Sequence, residues 1–532
     1  MNWSLIDVNE QSVCEKYHVS ALLGKVIAAS QLEADRIDEL LHGDMEVHTS
    51  RAECVLKCCR MILEAGRNHQ KVFVGGDYDA DGICATAVMK DTLDRLGIEN
   101  GYYIPDRFRE GYGLKPSTVE AAAKKGYSLI ITVDNGVKAF DAIEKAAQLG
   151  IRMIVTDHHE TDGNVNADLL VHPDLMEEEF RYYSGAGVAL QISRNLLGDV
   201  PSHTALAAVA AVGDVMPLWK QTRVLVKNGL REIRNNAVPA FTAMMRPDSP
   251  ADTQTVSFQI VPKLNSVGRM NDISNVNTLV PFLLSRNPDT VGAYVQQLNR
   301  VNEARKQLST AMAKKAEDIC DGSADFLLVY DESFHEGICG LVAGRLADRL
   351  HKPVIVMARN SGMIKGSGRS VEGFNMFEFF SSGFDMLQAF GGHEMAVGIT
   401  VAEQDFERFS ETISRKMKQT GFEYREKEEH AIRVHPDDIT LDSVIDLQVL
   451  DPYPRELARP VFALEHAECF KSFSSQKVVR YHFENRDLGF DGVLFARKNI
   501  PQCEKPEIVI GTPSVNRWRN IVSVQFEIED MR

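Results

Sequence analysis

Three aspartates, Asp77, Asp79 and Asp81, stand two residues apart in Val74-Gly-Gly-Asp-Tyr-Asp-Ala-Asp-Gly82, directly after an apolar run and before a helical pattern. Carboxylates packed this closely repel and raise one another's pKa unless a cation neutralises them, so the spacing points to a divalent metal. Asp134, in Thr132-Val-Asp-Asn-Gly136, and His158 with His159, in Thr156-Asp-His-His159, follow two later apolar runs. Asp214 closes a stretch of small residues that begins at Thr204. Oxygen ligands with one or two imidazoles suit Mn2+ first and Mg2+ as the alternative, rather than a thiolate-preferring metal. Two such ions about 4 Å apart would stabilise the attacking and leaving oxygens of a phosphoryl transfer. Asp-x-Asp-x-Asp-Gly also opens a calcium EF-hand loop, but the twelfth position, which needs a bidentate Glu, is Val88. Asp157 reads as a helix cap or turn former rather than a ligand.

These residues must be brought to one place, and the pattern between them indicates how. Apolar runs at Lys71–Gly75, Gly101–Ile104, Leu129–Val133, Met153–Thr156 and Leu169–Val171 alternate with helical stretches at Ile83–Leu96, Ser117–Lys125 and Lys138–Leu149. Alternating strands and helices predict a doubly wound parallel α/β sheet, and such sheets bind ligands beyond the carboxyl ends of their strands. Three of the acidic or imidazole clusters fall at those ends. Further along, Pro288 to about Cys320 predicts a long connecting helix, and Phe326 to about Thr400 a second α/β block with glycine-rich loops. The last hundred residues alternate in the manner of a small all-β barrel or sandwich, as in Lys477–Phe483 and Ile521–Ile528. The expected division is a helical segment (1–50), a catalytic domain (51–265), a connecting helical segment (266–322), a substrate-binding domain (323–425) and a β-domain (426–532).

At 532 residues, with 44% hydrophobic and 25% charged side chains, the chain is an ordinary globular protein of several domains. Its formal charge of −16 argues against a protein that coats nucleic acid non-specifically. It leaves a nuclease open, because bound divalent cations reverse the field an anionic substrate meets. The nine cysteines form no Cys-x-x-Cys pair, so reduced thiols are expected rather than a zinc site. With no apolar run of membrane-spanning length and no basic leader before an apolar stretch, a cytoplasmic protein with no membrane partner is expected.

Asp77-Tyr-Asp-Ala-Asp-Gly82, Val133-Asp-Asn-Gly136, Asp157-His-His159 and Gly213-Asp-Val-Met-Pro-Leu218 resemble the ordered motifs of the DHH phosphoesterases. Matched motif by motif, the resemblance implies Asp77, Asp79, Asp81, Asp134, His158 and Asp214 as metal ligands. His159 then becomes a neighbour of the ligands or a contact to the scissile phosphate. Tyr103–Leu114, Lys263–Met270, Val342–Leu346, Gly366-Ser-Gly-Arg-Ser370 and Phe390–Gly398 extend the likeness to the RecJ family of single-strand-specific exonucleases, over nearly the whole chain. The resemblance implies a catalytic DHH domain, an associated substrate-binding domain and an OB-fold. It also implies two divalent cations and removal of mononucleotides from the 5′ end of single-stranded DNA in repair and recombination. A helicase or single-strand-binding protein would be the partner, and the chain a monomer.

Each extra motif also has a direct reading. Gly366-Ser367-Gly368-Arg369-Ser370 offers backbone N–H groups, hydroxyls and a guanidinium for a phosphate, or else is a tight turn. Gly391 and Gly392 would let backbone approach the substrate with His393 donating to a phosphate, or else permit a helix to start against a sheet. Arg109 and Arg269 are placed among the substrate-binding residues, Arg269 reaching a phosphate or forming a salt bridge. Phe108 and Tyr112 would stack on bases or simply pack. In the β-domain, Lys477, Arg480, Tyr481, Arg517, Trp518 and Arg519 would line a strand-binding groove or form a solvated face. The loop Asp451–Arg459 departs from the glycine-rich loop usual in the family, which puts its contact with DNA in doubt. Two rivals stand beside this reading. One is a DHH enzyme for short oligonucleotides or cyclic dinucleotides, which would lack the terminal β-domain. The other is a non-catalytic replication or repair scaffold, which would have lost ligands.

Overall fold

The computed structural model describes residues 3–532 apart from 107, 109, 112, 162–163, 361, 426–427, 476–477, 485–488, 496–504 and 519–520. The chain divides into two compact units, one of residues 48–216 and 225–425, the other of residues 1–47, 217–224 and 426–532. No helix among the described residues is long and apolar enough to cross a membrane.

In the larger unit, five strands form a wholly parallel sheet in the order Asn100–Tyr103, Lys71–Gly75, Tyr127–Val133, Arg152–Thr156, Leu169–Val171. The chain's first strand here, Lys71–Gly75, lies between the second and the third. Connections therefore run in opposite directions on its two sides and leave a crevice beyond its carboxyl end, the switch point of such sheets. One face is covered by Phe140–Gln148 and Pro116–Lys124, whose Ile143, Ala146 and Val119 pack on Ile130, Met153 and Val155. Helices Ala80–Arg95, Gly185–Leu197 and Pro201–Gly213 pack on one another. A polar chain running from the interior to the surface links all three: buried Ser193 Oγ lies 2.7 Å from His203 Nδ1, His203 Nε2 2.8 Å from Asp91, and the exposed Arg95 donates to the same carboxylate at 2.6 Å. Fixing Pro201–Gly213 in this way fixes Asp214, its C-cap.

A 32-residue helix, Pro288–Ile319, leads into a five-stranded sheet ordered Leu387–His393, Ala396–Ala402, Met363–Arg369, Val354–Asn360, Leu327–Tyr330. Only Leu327–Tyr330 and Val354–Asn360 pair in parallel; the rest is antiparallel. The helix Glu336–Leu350 packs against it through Ile338, Val342 and Leu346.

In the smaller unit, eight strands form one sheet. The N-terminal segment is not purely helical, because Trp3–Ile6 is a strand pairing in parallel with Glu429–Val434. Residues more than four hundred positions apart make this pairing, which no local signal announces. The unusual loop Asp451–Arg459 also finds its role here. The buried Arg223 guanidinium donates to the carbonyls of Pro452, Asp451 (3.3 Å) and Val449 (2.9 Å), and Trp219 Nε1 donates to Glu456 at 2.7 Å. Burial lowers the Arg223 pKa to about 10, so it stays charged at neutral pH. Arg223→Ala would strand these acceptors. A loss of about 3 kcal/mol is expected in the unfolding transition of this unit; an unchanged transition midpoint would show that water replaces the guanidinium.

Candidate active site

The aspartate loop follows Lys71–Gly75 at the switch point. Asp79 caps the next helix, its Oδ1 accepting from the backbone N–H of Asp81 (3.0 Å) and Gly82 (3.1 Å). Asp77 and Asp81 are both 2% exposed. Asp81 meets the start of a second helix: Ser184 Oγ and the backbone N–H groups of Gly185 and Ala186 donate to it at 2.9, 2.7 and 2.8 Å. Two helix N-termini thus point at one loop, an arrangement that favours negative charge. Asp134, just beyond Tyr127–Val133, has φ +60, the left-handed region that Asp tolerates better than most residues. Its neighbour Asn135 donates to the carbonyls of Gly75 (3.0 Å) and Val133 (2.9 Å), tying adjacent strand ends together.

At the end of the next strand, His158 Nε2 lies 3.1 Å from Asp134 Oδ1, and 3.6 Å from an oxygen of Asp81 and from one of Asp214. This nitrogen is buried and makes no hydrogen bond. Among the described residues, three groups have ligand atoms within 4.8 Å of one another: Asp134 with His158 and His159, Asp81 with His158 and Asp214, and Asp77 with Asp79 and Asp134. All seven residues singled out from the sequence fall in these groups, and the groups share members.

The electrostatics fit a cation. Burial and then repulsion from Asp81 and Asp79 push Asp134 well above the carboxylate range, and the same causes push Asp214 up to about 8. Burial lowers the His158 pKa, which keeps its imidazole neutral and able to ligate. Asp157 is fully buried; it accepts from the backbone N–H groups of His158, His159 and Val137 and faces His159 Nδ1 at 2.7 Å. Burial opposes charge on His159, but the hydrogen bond and charge of Asp157 outweigh it and raise the pKa to about 9. Protons therefore compete with a cation at Asp214 below about pH 8. Mn2+ affinity is expected to rise at least about tenfold per pH unit up to that pH, more where Asp134 also gives up a proton. Calorimetric titration measures it, and a flat affinity would place Asp214 outside the site.

The remaining sequence candidates divide. Gly366–Arg369 is not a turn. It lies in the strand Met363–Arg369, between two antiparallel neighbours, so its backbone N–H groups belong to the ladder and only side chains remain to bind anything. Ser370 is buried and its hydroxyl donates to the carbonyl of Phe374, so it is turned away from any ligand. Gly391, Gly392 and His393 start no helix; they end the strand Leu387–His393, where a Cβ on Gly392 would stand 2.2 Å from the carbonyl oxygen of Ala396. Register then does what neither motif shows alone. Gly391 pairs with Gly398 and Gly398 with Ser367, while His393 pairs with Ala396 and Ala396 with Arg369. Directly paired residues share a face, so Ser367, Arg369, Gly391 and His393 stand together on one side of the sheet.

Arg269 Nη1 reaches the carbonyl of Gly337 at 3.5 Å, at the start of Glu336–Leu350. Phe108 is half-buried and makes a T-shaped ring contact with His335, and Tyr481 is fully buried and so is no stacking platform. Arg109, Tyr112, Lys477 and Arg519 lie outside the described residues, as do the side chains of Arg517 and Trp518. Nothing in the sequence pointed to Ser184 and Gly185, and Asn135 and Asn265 stood in motifs without a role; Asn265 Oδ1 accepts from Ala80 N at 2.8 Å. Gly268 belongs with them: a Cβ there would stand 2.6 Å from the Tyr78 carbonyl oxygen. The segment Lys263–Met270 therefore braces the aspartate loop.

Residues 71–213 match the model of the DHH family N-terminal domain, 323–419 that of the DHHA1 domain and 431–530 that of the RecJ OB domain. The single-stranded-DNA-specific exonuclease RecJ of Escherichia coli is 32% identical, over 67% of this chain and 68% of its own length. The chain belongs to the RecJ family. The Thermus thermophilus RecJ is 30% identical over 89% of this chain and 70% of its own, and the Bacillus subtilis RecJ 29% identical over 98% and 69%. A crystal structure of the T. thermophilus RecJ with Mn2+ superposes with TM-score 0.82 at 24% identity, covering 100% of this chain and 79% of that one. An exonuclease RecJ bound to manganese superposes with TM-score 0.61 at 30% identity, covering 70% and 96%. The RecJ fold thus extends from the aspartate loop through the terminal sheet.

Proposed function

We propose that this RecJ-family chain is a divalent-metal-dependent exonuclease that degrades single-stranded DNA from the 5′ end to mononucleotides. The observation that carries the reading is the gathering of Asp77, Asp79, Asp81, Asp134, His158, His159 and Asp214 into overlapping groups with ligand atoms within 4.8 Å. Asp77, Asp79, Asp81, Asp134, His158 and Asp214 would hold two cations, Mn2+ or Mg2+. When bound, the cations supply charge neutralisation and activation of the water that attacks the phosphodiester. The chain's own residues do the rest. Asp157 keeps His159 charged and turned towards the cluster, where its exposed edge can donate to a phosphate oxygen. The helix N-termini at Asp79 and Asp81 hold the carboxylates in place before substrate arrives. Ser367, Arg369 and His393, on one face of the second sheet, would receive a phosphate of the strand.

Single-stranded ends arise from strand separation and are held open by coating proteins. A helicase or a single-strand-binding protein is therefore the kind of partner that would supply substrate to a monomeric, cytoplasmic enzyme in repair and recombination. End-labelled strands test the reading. With Mn2+, a 5′ label should appear as mononucleotide from the first time point, while a 3′ label stays in progressively shorter strands. Early release of the 3′ label would reverse the polarity, and cleavage restricted to dinucleotides would replace the substrate class.

A further inference from the structure

The helix Glu336–Leu350 turns two glycines, Gly340 and Gly344, towards Arg369. They are one helical turn apart and share a face. A Cβ on Gly340 would stand 2.9 Å from Ser367 Oγ and 3.1 Å from Arg369 Nη2, and one on Gly344 3.9 Å from Arg369 Cγ. Beside them runs a groove of about 560 Å³ lined by Gly340, Gly344, Arg345, Asp348, Arg349 and Arg369. Three guanidinium groups against one carboxylate make it a basic feature on a chain of net charge −16. The three arginines differ in what they already hold. Arg369 Nη1 donates to the Gly368 carbonyl at 2.8 Å and to Ser367 Oγ at 3.2 Å, and Arg349 pairs with Glu317 at 2.7 Å. Arg345 is exposed, and its guanidinium has neither a hydrogen bond nor an ion pair with any of the described residues.

We propose that Arg345 binds an internal backbone phosphate of the single strand, so that the strand runs along this helix beyond the phosphate received by Ser367 and Arg369. The proposal rests on the reading of that pair as a phosphate site. Ser367 and Arg369 fill the space over Gly340, but over Gly344 nothing stands nearer than Arg369 Cγ at 3.9 Å, and this bare helix backbone lets a phosphodiester chain come close. A guanidinium with no protein partner is suited to a phosphate, being planar, permanently charged and weakly hydrated. The chain's net charge of −16 opposes an anionic backbone, so a basic groove also favours this path.

Fluorescence anisotropy without divalent metal reads binding independently of cleavage, using a 5′-phosphorylated strand of about 20 nucleotides, longer than one binding site, and a 5′-phosphorylated dinucleotide. For Arg345→Ala, the long strand should bind about tenfold more weakly, and the slope of log affinity against log salt should become shallower by about 0.7, the share of one single-strand phosphate contact. Dinucleotide affinity should fall less than about twofold, and Arg345→Lys should recover the salt slope but only part of the long-strand affinity, since an ammonium keeps the charge without the planar fork. Unchanged long-strand affinity and salt slope in Arg345→Ala would overturn the proposal, as would an equal loss on both substrates. Arg369→Ala separates the two readings. If it weakens neither substrate while Arg345→Ala weakens the long strand, the Ser367–Arg369 phosphate site fails and the assignment of Arg345 stands.

Discussion

Asp134→Asn will abolish hydrolysis and yet stabilise the metal-free protein. Asp134 sits where two of the three ligand groups meet, with His158 Nε2 at 3.1 Å. Losing its charge removes a shared anchor for the cations, and activity should fall by at least about 10³-fold, roughly 4 kcal/mol of transition-state stabilisation. Stability moves the other way. Burial and repulsion from Asp81, Asp79 and Asp77 raise the Asp134 pKa in the folded state. A carboxyl whose folded pKa is raised favours folding only while protonated, so the metal-free protein loses stability as pH rises above the ordinary carboxylate range of about 4. Asparagine removes that cost, and it tolerates the left-handed φ at this position as well as aspartate does. At neutral pH the variant's unfolding free energy should rise by about 1 kcal/mol, near 2 °C in Tm. Added Mn2+ should raise the Tm of the parent and not of the variant. An active variant, or one whose metal-free Tm is unchanged or lowered, would contradict this account.

Gly185→Ala should cripple the enzyme although Gly185 offers no ligand atom. A Cβ there would stand 2.5 Å from Asp134 Cβ, 2.6 Å from its Oδ1 and 2.7 Å from its Cα. The methyl group cannot be absorbed by a rotamer change, since Cα itself is in the way. Either the helix Gly185–Leu197 backs off, breaking the 2.7 and 2.8 Å bonds from Gly185 N and Ala186 N to Asp81, or Asp134 leaves its place. Overpacking of this kind costs about 1–3 kcal/mol. A displacement of about 1 Å at reacting groups costs about 100-fold in rate. Steady-state rates and thermal unfolding check both numbers; a fully active variant would show that the helix start yields without disturbing the carboxylates.

The candidate metal cluster was legible before any fold was known, because most of its residues occur at the ends of strand-like runs, and the parallel topology brings such ends to one edge. The phosphate-binding candidates were legible only as a list. Gly366–Ser370 was read as a turn or cradle because glycine and serine are turn formers. In the sheet, pairing on both sides overrides that local preference and takes up the backbone groups. The RecJ resemblance identified Asp451–Arg459 as unusual, but its role needed Arg223, more than two hundred residues earlier.

Residue types and spacing alone therefore determined the chemistry: carboxylates and imidazoles in numbers that only a cation reconciles, set at successive strand ends by alternating β and α periodicity. Tertiary structure decided which groups lie close enough to share a cation, which face Ser367, Arg369 and His393 occupy, why residue 185 must be glycine, and where Trp3–Ile6 pairs. The division has a physical cause. Periodicity and charge repulsion act over a few residues and are written along the chain, whereas register, helix approach and the fate of each buried donor are set by neighbours that sequence order does not reveal.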